Sequence, residues 1–254
     1  HRTMAHHVGD ATLTSRDLHH PRGRDPEELI NGRERYCLWL VDVSPADLRS
    51  SPVLGERVEA VRQFRLASVA PSTRDAATFA HRFRQVGQPK TPYLGFPGVS
   101  SESRPYVPLA YFEPDVIASN LLLTVPDATH ELFAVMTSSM FQVWNSTVSG
   151  RLKSDSRISQ QITYNNYPLP AIAPASRAAL QKSAQDVLAV RTRYPESSLA
   201  DLYSPLSMPL DLRQAHQRND KNVLALYGLK PSATKAQILA ALFAEYKRQT
   251  AGLI

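Results

Sequence analysis

The chain has 254 residues, of which 43% are hydrophobic and 20% are charged, and its formal net charge is +6 with a pI near 9.5. This length allows one large domain or two ordinary ones with a buried core, and the positive charge favours polyanionic partners. Cys37 is the only cysteine, so an intrachain disulfide is excluded, and no apolar run approaches the roughly 18 residues of a membrane span. These properties predict a soluble globular protein.

The first half of the chain predicts an irregular lead-in followed by mixed elements. Residues 1–32 are polar, and the paired histidines in them are typical of a flexible or processed segment rather than of a metal site. The run "RYCLWLVDV" (35–43) predicts a strand, and Ser44 with Pro45 predicts a helix start. The run "LGERVEAVRQFRLAS" predicts a helix, and three proline-interrupted strands are predicted within 92–98, 104–112 and 120–126. The paired histidines are His6, His7, His19 and His20.

The second half becomes progressively helical. "ATHELFAVMTSSMFQVWNSTVSG" predicts one helix closed by Gly150, in which Ser138 and Ser139 allow close packing, and "ISQQITYNNYPLP" predicts a strand. Three helices follow Pro170; the second stops at Gly228, and the third begins with a Thr234–Gln237 capping box. We therefore predict an α+β fold of helices and short, mostly antiparallel strands over residues 33–170, with a C-terminal helical domain over 171–254.

The positive charge is concentrated in one segment. Between residues 57 and 104 there are eight basic residues against three acids, and seven of the eight are arginines. Arginine favours forked recognition of phosphate groups and guanine edges. A helix with a solvated basic face is an equal alternative on composition alone. The candidate phosphate contacts are Arg57, Arg62, Arg65, Arg74, Arg82, Arg84 and Lys90 in this segment, with Arg151 and Arg157 further on.

The sequence contains no complete catalytic constellation. The ten glycines form neither a dinucleotide-binding nor a phosphate-binding loop, and one cysteine cannot build a zinc cluster. His216 lies within a predicted helix, where a structural histidine is the ordinary interpretation. We therefore expect no catalytic residue and no metal site in this chain. We expect it to recognise a binding partner rather than to catalyse a reaction.

Several segments, in order, resemble one family. They include "NGRERYCLWLVDVSPADL", "FPGVSSESRPYVPL", "MTSSMFQVWNSTVSGRLKSDSRIS", "ITYNNYPLP" and "SLADLYSPLSMPLDLRQAH". These segments are similar to the C-terminal part of MmeI-like DNA methyltransferases, which are bacterial type IIL (IIG-type) restriction-modification enzymes and their stand-alone relatives. The resemblance runs from about Asn31 to Tyr246. The chain departs from the family pattern at Ser156 and Ile158, and at Leu169, where the family carries aromatic residues.

The resemblance implies a target recognition domain followed by a helical tail. The S-adenosylmethionine-binding and Asn-Pro-Pro-Phe/Tyr motifs of the family lie upstream, so the fragment is expected to hold no cofactor. S-adenosylmethionine, with magnesium for any nuclease domain, would belong to the parent protein. The parent would be an adenine-N6 DNA methyltransferase. The expected partners are double-stranded DNA and the upstream methyltransferase domain, without a membrane, and the expected location is the cytoplasm.

The resemblance also indicates which side chains read bases. Lys153 and Asp155 occupy the positions of a two-apart pair that helps to choose one base pair of the target. A lysine donates to guanine O6 and N7, while an aspartate accepts from cytosine N4. Ser101, Glu102 and Arg104 are secondary base-reading candidates.

Two alternatives stay open. In the first, Lys153 and Asp155 do not read bases but form an exposed ion pair after a helix end, where a lysine is favourable in any case. In the second, the whole chain is not a DNA-recognition domain but a protein–protein docking module that uses the apolar residues of the tail. Those residues are Leu180, Val187, Leu188, Ile238 and Leu242.

Overall fold

The computed structural model describes residues 22–33 and 35–251, which divide into two compact units. One unit contains residues 35–88 together with Arg22, and the other contains residues 23–33 and 89–251. The paired histidines of the N-terminal segment lie outside the described residues.

The smaller unit is mainly helical. It comprises β2 (Arg35–Tyr36), α2 (Pro45–Ser50), α3 (Pro52–Leu66), α4 (Pro71–Asp75) and a 3₁₀ turn (Ala76–Phe79). The predicted start of α2 is confirmed, because the Ser44 side chain accepts from the backbone of Asp47 and Pro45 follows it. The predicted helix α3 is also confirmed. The strand predicted over 35–43 is wrong beyond Tyr36, since residues 37–43 have no pairing strand and β-propensity alone does not make one.

The larger unit begins with two elements inside the segment that the sequence predicted to be irregular. They are β1 (Arg22–Arg24) and α1 (Pro26–Asn31), and Asp25 caps α1 through a capping box with Glu28. Gly23 and Arg24 pair in parallel with Ile117 and Ala118 of β6 (Ile117–Ala118). The ordered fold therefore reaches further towards the N-terminus than the composition predicts.

The main sheet of this unit is antiparallel, with β3 (Tyr93–Pro97) between β5 (Ala110–Phe112) and β7 (Leu122–Pro126). All five residues of β3 are buried, as expected for a central strand. The strand predicted over 104–112 is reduced to β5, because Pro105 and Pro108 donate no ladder hydrogen bond. Gly98 follows β3, where a Cβ would lie 2.6 Å from the Leu121 carbonyl oxygen, so a side chain is excluded.

The helix predicted over 128–150 is wrong as a single element. It is divided into α5 (His130–Met136) and α6 (Ser139–Val148). The buried Ser138 is the reason, because its backbone is extended and its hydroxyl caps α6 by accepting from the Phe141 N–H at 3.3 Å. The α6 helix ends in an extended Ser149, so Gly150 is the first residue of a strand and not a left-handed cap.

A second antiparallel sheet follows α6 directly. Its order is β4 (Val99–Ser100), β9 (Asp155–Arg157), β8 (Gly150–Leu152). The strand predicted after it is wrong, since residues 160–164 form a π-helical turn (Gln160–Tyr164). Local side-chain bonds explain this turn: the Ser159 hydroxyl accepts from the Ile162 N–H at 3.1 Å, and the Trp144 indole donates to the Thr163 carbonyl at 2.9 Å.

The C-terminal helices complete the larger unit. They are α7 (Pro174–Arg191), α8 (Leu199–Leu202), α9 (Leu210–Leu226) and α10 (Lys235–Thr250). The predicted stop at Gly228 is confirmed by its φ of 68°, and the predicted Thr234–Gln237 capping box is present. A single hydrophobic cluster runs from Leu94 in β3 to Leu242 in α10.

Buried polar groups connect these helices to the rest of the unit. Asp220 of α9 accepts from the Tyr106 hydroxyl at 3.0 Å and from the Ser139 N–H, at the start of α6, at 2.8 Å. Arg191 donates to the hydroxyl of Tyr203, and this hydroxyl shares a hydrogen bond of 2.8 Å with Nε2 of the fully buried His216.

Candidate nucleic-acid interface

The strands β8 and β9 form a hairpin with a two-residue turn. Leu152 pairs with Asp155, so Lys153 and Ser154 form its tip. Side chains alternate along a strand, and Ser156 is buried while Asp155 is half-buried and Arg157 is exposed. One face of the hairpin therefore presents Asp155 and Arg157 to solvent. Leu152 lies on the same face and is 55% exposed. The charge pattern gave no reason to select Leu152, although an exposed leucine beside a Lys-x-Asp pair is a signal in itself.

Lys153 has an unusual backbone for its residue type. Its φ is 57°, in the left-handed region, where hairpin turns favour glycine, asparagine or aspartate. A lysine in this region carries a conformational cost on the order of 1 kcal/mol. Its side chain is exposed, and neither Lys153 nor Asp155 forms an ion pair within the described residues. The alternative of an exposed Lys–Asp ion pair therefore receives no support from the geometry.

The loop 101–104 lies beside the hairpin. Arg151 of β8 forms an ion pair with Glu102 at 3.2 Å, which brings two segments 49 residues apart into contact. Ser101 and Ser103 share a hydrogen bond of 3.0 Å. Burial lowers the pKa of Arg104, and the neighbouring charge of Asp155 opposes that shift. The structure thus places the loop 101–104 against the hairpin, with Arg104 near Asp155 and Glu102 paired with Arg151.

The two arginines of the hairpin differ in their surroundings. The Arg151 guanidinium donates to the carbonyls of Ser154 at 2.7 Å and Ser146 at 3.1 Å, in addition to its ion pair with Glu102. It therefore ties the hairpin tip to the end of α6. The exposed Arg157 has no hydrogen bond or ion pair within the described part of the chain.

The basic segment of the smaller unit is largely engaged in local contacts. Arg65 donates to the carbonyls of Ala76 and Arg82, and burial lowers its pKa. Arg74 donates to the carbonyls of Ser68 and Val69. Three further arginines have partners or a neighbouring ring: Arg62 pairs with Glu59 at 2.8 Å, Arg84 reaches the hydroxyls of Ser72 and Thr73, and Arg82 lies over the Phe79 ring. Arg57 is half-exposed and Lys90, in the larger unit, is exposed.

The apolar residues offered for a protein-docking module are internal. Leu180, Val187 and Leu242 are fully buried, Ile238 is 6% exposed, and Leu188 packs against the same cluster. They are used to hold the tail on its own unit. Among the described residues, no helix is long and apolar enough to cross a membrane.

Comparison with known proteins defines the class of this molecule. Residues 23–171 match the family model of the MmeI target recognition domain, and residues 172–254 match that of the MmeI C-terminal domain. The molecule is thus a target recognition domain of α+β fold joined to a helical C-terminal domain. The chain belongs to the MmeI family.

Two relatives carry the same two regions within longer chains. DNA methyltransferase A of Bacillus subtilis (strain 168) is 32% identical over 223 residues, which are 88% of this chain and 25% of that protein. A solved structure of the type IIL restriction-modification enzyme MmeI in complex with DNA matches with a TM-score of 0.89 and 36% identity. That match covers 92% of this chain and 31% of the solved one, so this chain spans less than a third of either relative.

Proposed function

We propose that this chain binds duplex DNA and reads the target sequence of an adenine-N6 DNA methyltransferase of the restriction-modification type. The hairpin of β8 and β9 enters the major groove, whose width of about 12 Å admits a two-stranded ribbon. The observation that carries the proposal is Lys153, whose exposed side chain is held at the hairpin tip in a left-handed backbone. Family membership and the solved MmeI–DNA complex support it further.

Within this proposal Lys153 and Asp155 read one G·C pair. The Lys153 ammonium donates to guanine O6 or N7, and the Asp155 carboxylate accepts from cytosine N4, each contact contributing about 1–3 kcal/mol of discrimination. Leu152, on the same face as Asp155, offers apolar contact to a thymine methyl group. Ser101, Glu102 and Arg104 read neighbouring positions.

Phosphate contacts fix the register of the duplex without reading its sequence. Arg157 and Lys90 are the best placed of the sequence candidates, because both are exposed and neither side chain forms a hydrogen bond or ion pair within the described residues. Arg57 and Arg82 belong to the same proposal, whereas Arg62, Arg65, Arg74, Arg84 and Arg151 have internal partners that a phosphate would have to share.

The chemistry of methyl transfer belongs to the part of the relatives that this chain does not span. S-adenosylmethionine would be bound there, and base flipping of the target adenine would deliver it to that domain. The residues of this chain supply binding, register and orientation only. Because the proposed function is to act on cellular DNA, we expect the protein to be cytoplasmic.

The test is selection from a pool of duplexes with a randomised centre. The enriched duplex and a scrambled version are then titrated with the chain at 50 and 200 mM salt. We expect preferential and salt-sensitive binding of the enriched duplex. An absence of DNA binding at 50 mM salt would refute the proposal.

A further inference from the structure

The exposed face of α9 carries cations that lie outside the candidate phosphate contacts. Arg213, Arg218 and Lys221 are exposed and form no ion pair within the described residues. Side chains three or four residues apart lie on the same face of a helix. This relation holds for Gln214, Gln217, Arg218 and Lys221, and Arg213 lies one turn before Gln217. From Arg213 to Lys221 this face therefore carries only basic and polar side chains, with the exposed Leu210 one turn before Gln214.

The acids of the same helix do not neutralise this face. Asp211 accepts from the Tyr194 hydroxyl at 2.7 Å and pairs with Arg193 at 3.4 Å. Asp220 is turned inwards to its hydrogen bonds from Tyr106 and Ser139. Both carboxylates of α9 thus have other partners, which leaves the three cations available to an external anion.

A groove lies between this face and the segment 103–105. Ser103 and Pro105 line one side of the groove, Arg213 and Gln217 line the other, and its volume is about 250 Å³. Glu102, adjacent to Ser103, is the residue that pairs with Arg151 of the hairpin. The groove therefore links the α9 face to the loop 101–104, which in turn contacts the hairpin through the Glu102–Arg151 ion pair.

We propose that Arg213, Arg218 and Lys221 bind the phosphate backbone of the duplex whose bases the hairpin reads. From Arg213 to Lys221 the helix rises about 12 Å, which is the axial length of several phosphates of one strand at about 3.4 Å each. Charge-assisted bonds from arginine and lysine to phosphate are stronger than neutral ones. This inference rests on the proposed DNA-binding function and extends it to the C-terminal domain.

The test compares two triple variants with the same change in charge. Arg213→Gln, Arg218→Gln and Lys221→Gln are combined in one protein. Lys230→Gln, Lys235→Gln and Lys247→Gln, which are exposed positions after α9 and on α10, are combined in the control. Dissociation constants for the enriched and scrambled duplexes are measured between 50 and 200 mM salt.

We expect the α9 variant to reduce the slope of log affinity against log salt by about 2–3, since each phosphate contact contributes about 0.9. Affinity for both duplexes should fall by the same factor, and the control should change the slope by less than about 0.5. A single Gln217→Lys variant, which does not depend on the folding of the triple variant, should increase the slope by about 0.9.

Equal slopes in the two triple variants, or an unchanged slope in Gln217→Lys, would overturn this inference while DNA binding by the unmodified chain still stood. If the unmodified chain binds neither duplex, the proposed function and this inference both fail.

Discussion

The backbone and the side chain of Lys153 have opposite effects on stability and on function. A φ of 57° suits glycine better than lysine, so Lys153→Gly relieves strain in the folded hairpin while it adds freedom to the unfolded chain. We expect the free energy of unfolding to change by less than about 1 kcal/mol. Discrimination at one base pair should fall by about 1–3 kcal/mol because the donor to guanine is lost.

Urea denaturation and titration of duplexes altered at one base pair at a time measure these two effects. Lys153→Asn is the matched variant, because asparagine also tolerates the left-handed region but carries no charge. If both variants keep the discrimination of the unmodified chain at every position, Lys153 does not read a base.

His216 and Asp220, in the middle of α9, give the stability two pH dependences of opposite sign. Burial and the charge of Arg191 hold the pKa of His216 well below its usual value. The unfolded chain therefore binds a proton that the folded form does not bind, and stability falls as the pH drops below about 6.5.

Burial raises the pKa of Asp220 to about 6, although the hydrogen bonds from Ser139 and Tyr106 act to lower it. The folded form therefore retains a proton between about pH 4 and 6, and Asp220 adds stability as the pH drops through that window.

The variant Asp220→Asn should remove the second effect. Asparagine can still accept from the Ser139 N–H and donate to the Tyr106 hydroxyl, so the fold is kept. From pH 6 to 4 we expect its free energy of unfolding to fall more steeply than that of the unmodified chain, by about 1.4 kcal/mol per pH unit. Denaturation curves at half-unit pH steps measure the slope, and His216→Gln should change it in the opposite sense. Parallel curves for Asp220→Asn and the unmodified chain would contradict the assignment.

At the scale of elements, most local signals in the sequence were reliable, the predicted cap at Gly150 being the exception, and pairing signals were not. Ser44 with Pro45, Thr234 with Gln237, and Gly228 all act within one helical turn, and each has the predicted role. The hairpin at 150–157 contacts Glu102, which is 49 residues away in sequence, and the turn at 160–164 accepts a hydrogen bond from Trp144 of the preceding helix α6. Periodicity alone could not separate α5 from α6 either, because the apolar pattern continues through the Ser138 cap.

The candidate site was predictable in composition but not in geometry. Lys153 and Asp155 were selected through the family resemblance, and the structure places both at or beside an exposed tip. The same charge that selected Arg151 and Arg65 gave no indication that their guanidinium groups bind carbonyl oxygens within the chain. The cations of α9 were missed because a solvated basic helix face is common and only the groove to Ser103 distinguishes this one.

The internal bonds of Arg151 lead to a prediction about the hairpin as an element. Because Arg151 joins the hairpin to Ser146 and Glu102, Arg151→Met should loosen the hairpin and reduce sequence discrimination, with little change in the salt slope. Arg157→Gln, which removes an exposed guanidinium, should reduce the salt slope by about 0.9 and leave discrimination intact. Titrations of the enriched and scrambled duplexes separate the two outcomes. If Arg151→Met lowers the slope of log affinity against log salt as Arg157→Gln does, Arg151 contacts phosphate and does not merely hold the hairpin in place.

At the scale of the whole molecule, the recognition region and the helical tail of the larger unit share one interior. The side chain of Trp144 in α6 lies 5.7 Å from Phe243 and 6.2 Å from Tyr246 of α10 between ring centroids. Asn219 of α9 donates to the Ala134 carbonyl of α5 at 2.7 Å, and both residues are fully buried. The boundary between the two family models at residues 171 and 172 therefore passes through a continuous core.

A shared core predicts one unfolding event for this unit. Opening α7 and α9 would expose Phe133 and Leu180 together and leave the Ala134 carbonyl without its donor, so neither part keeps its interior alone. We expect core amides of α5, α6, α7 and α9 to exchange with one free energy of opening and one dependence on urea, measured by hydrogen exchange. A chain ending at residue 171 should then lack a cooperative transition, because its apolar face has no cover. If the amides of α7 and α9 instead exchange through openings of lower free energy while those of α5 stay protected, the tail is a separate domain.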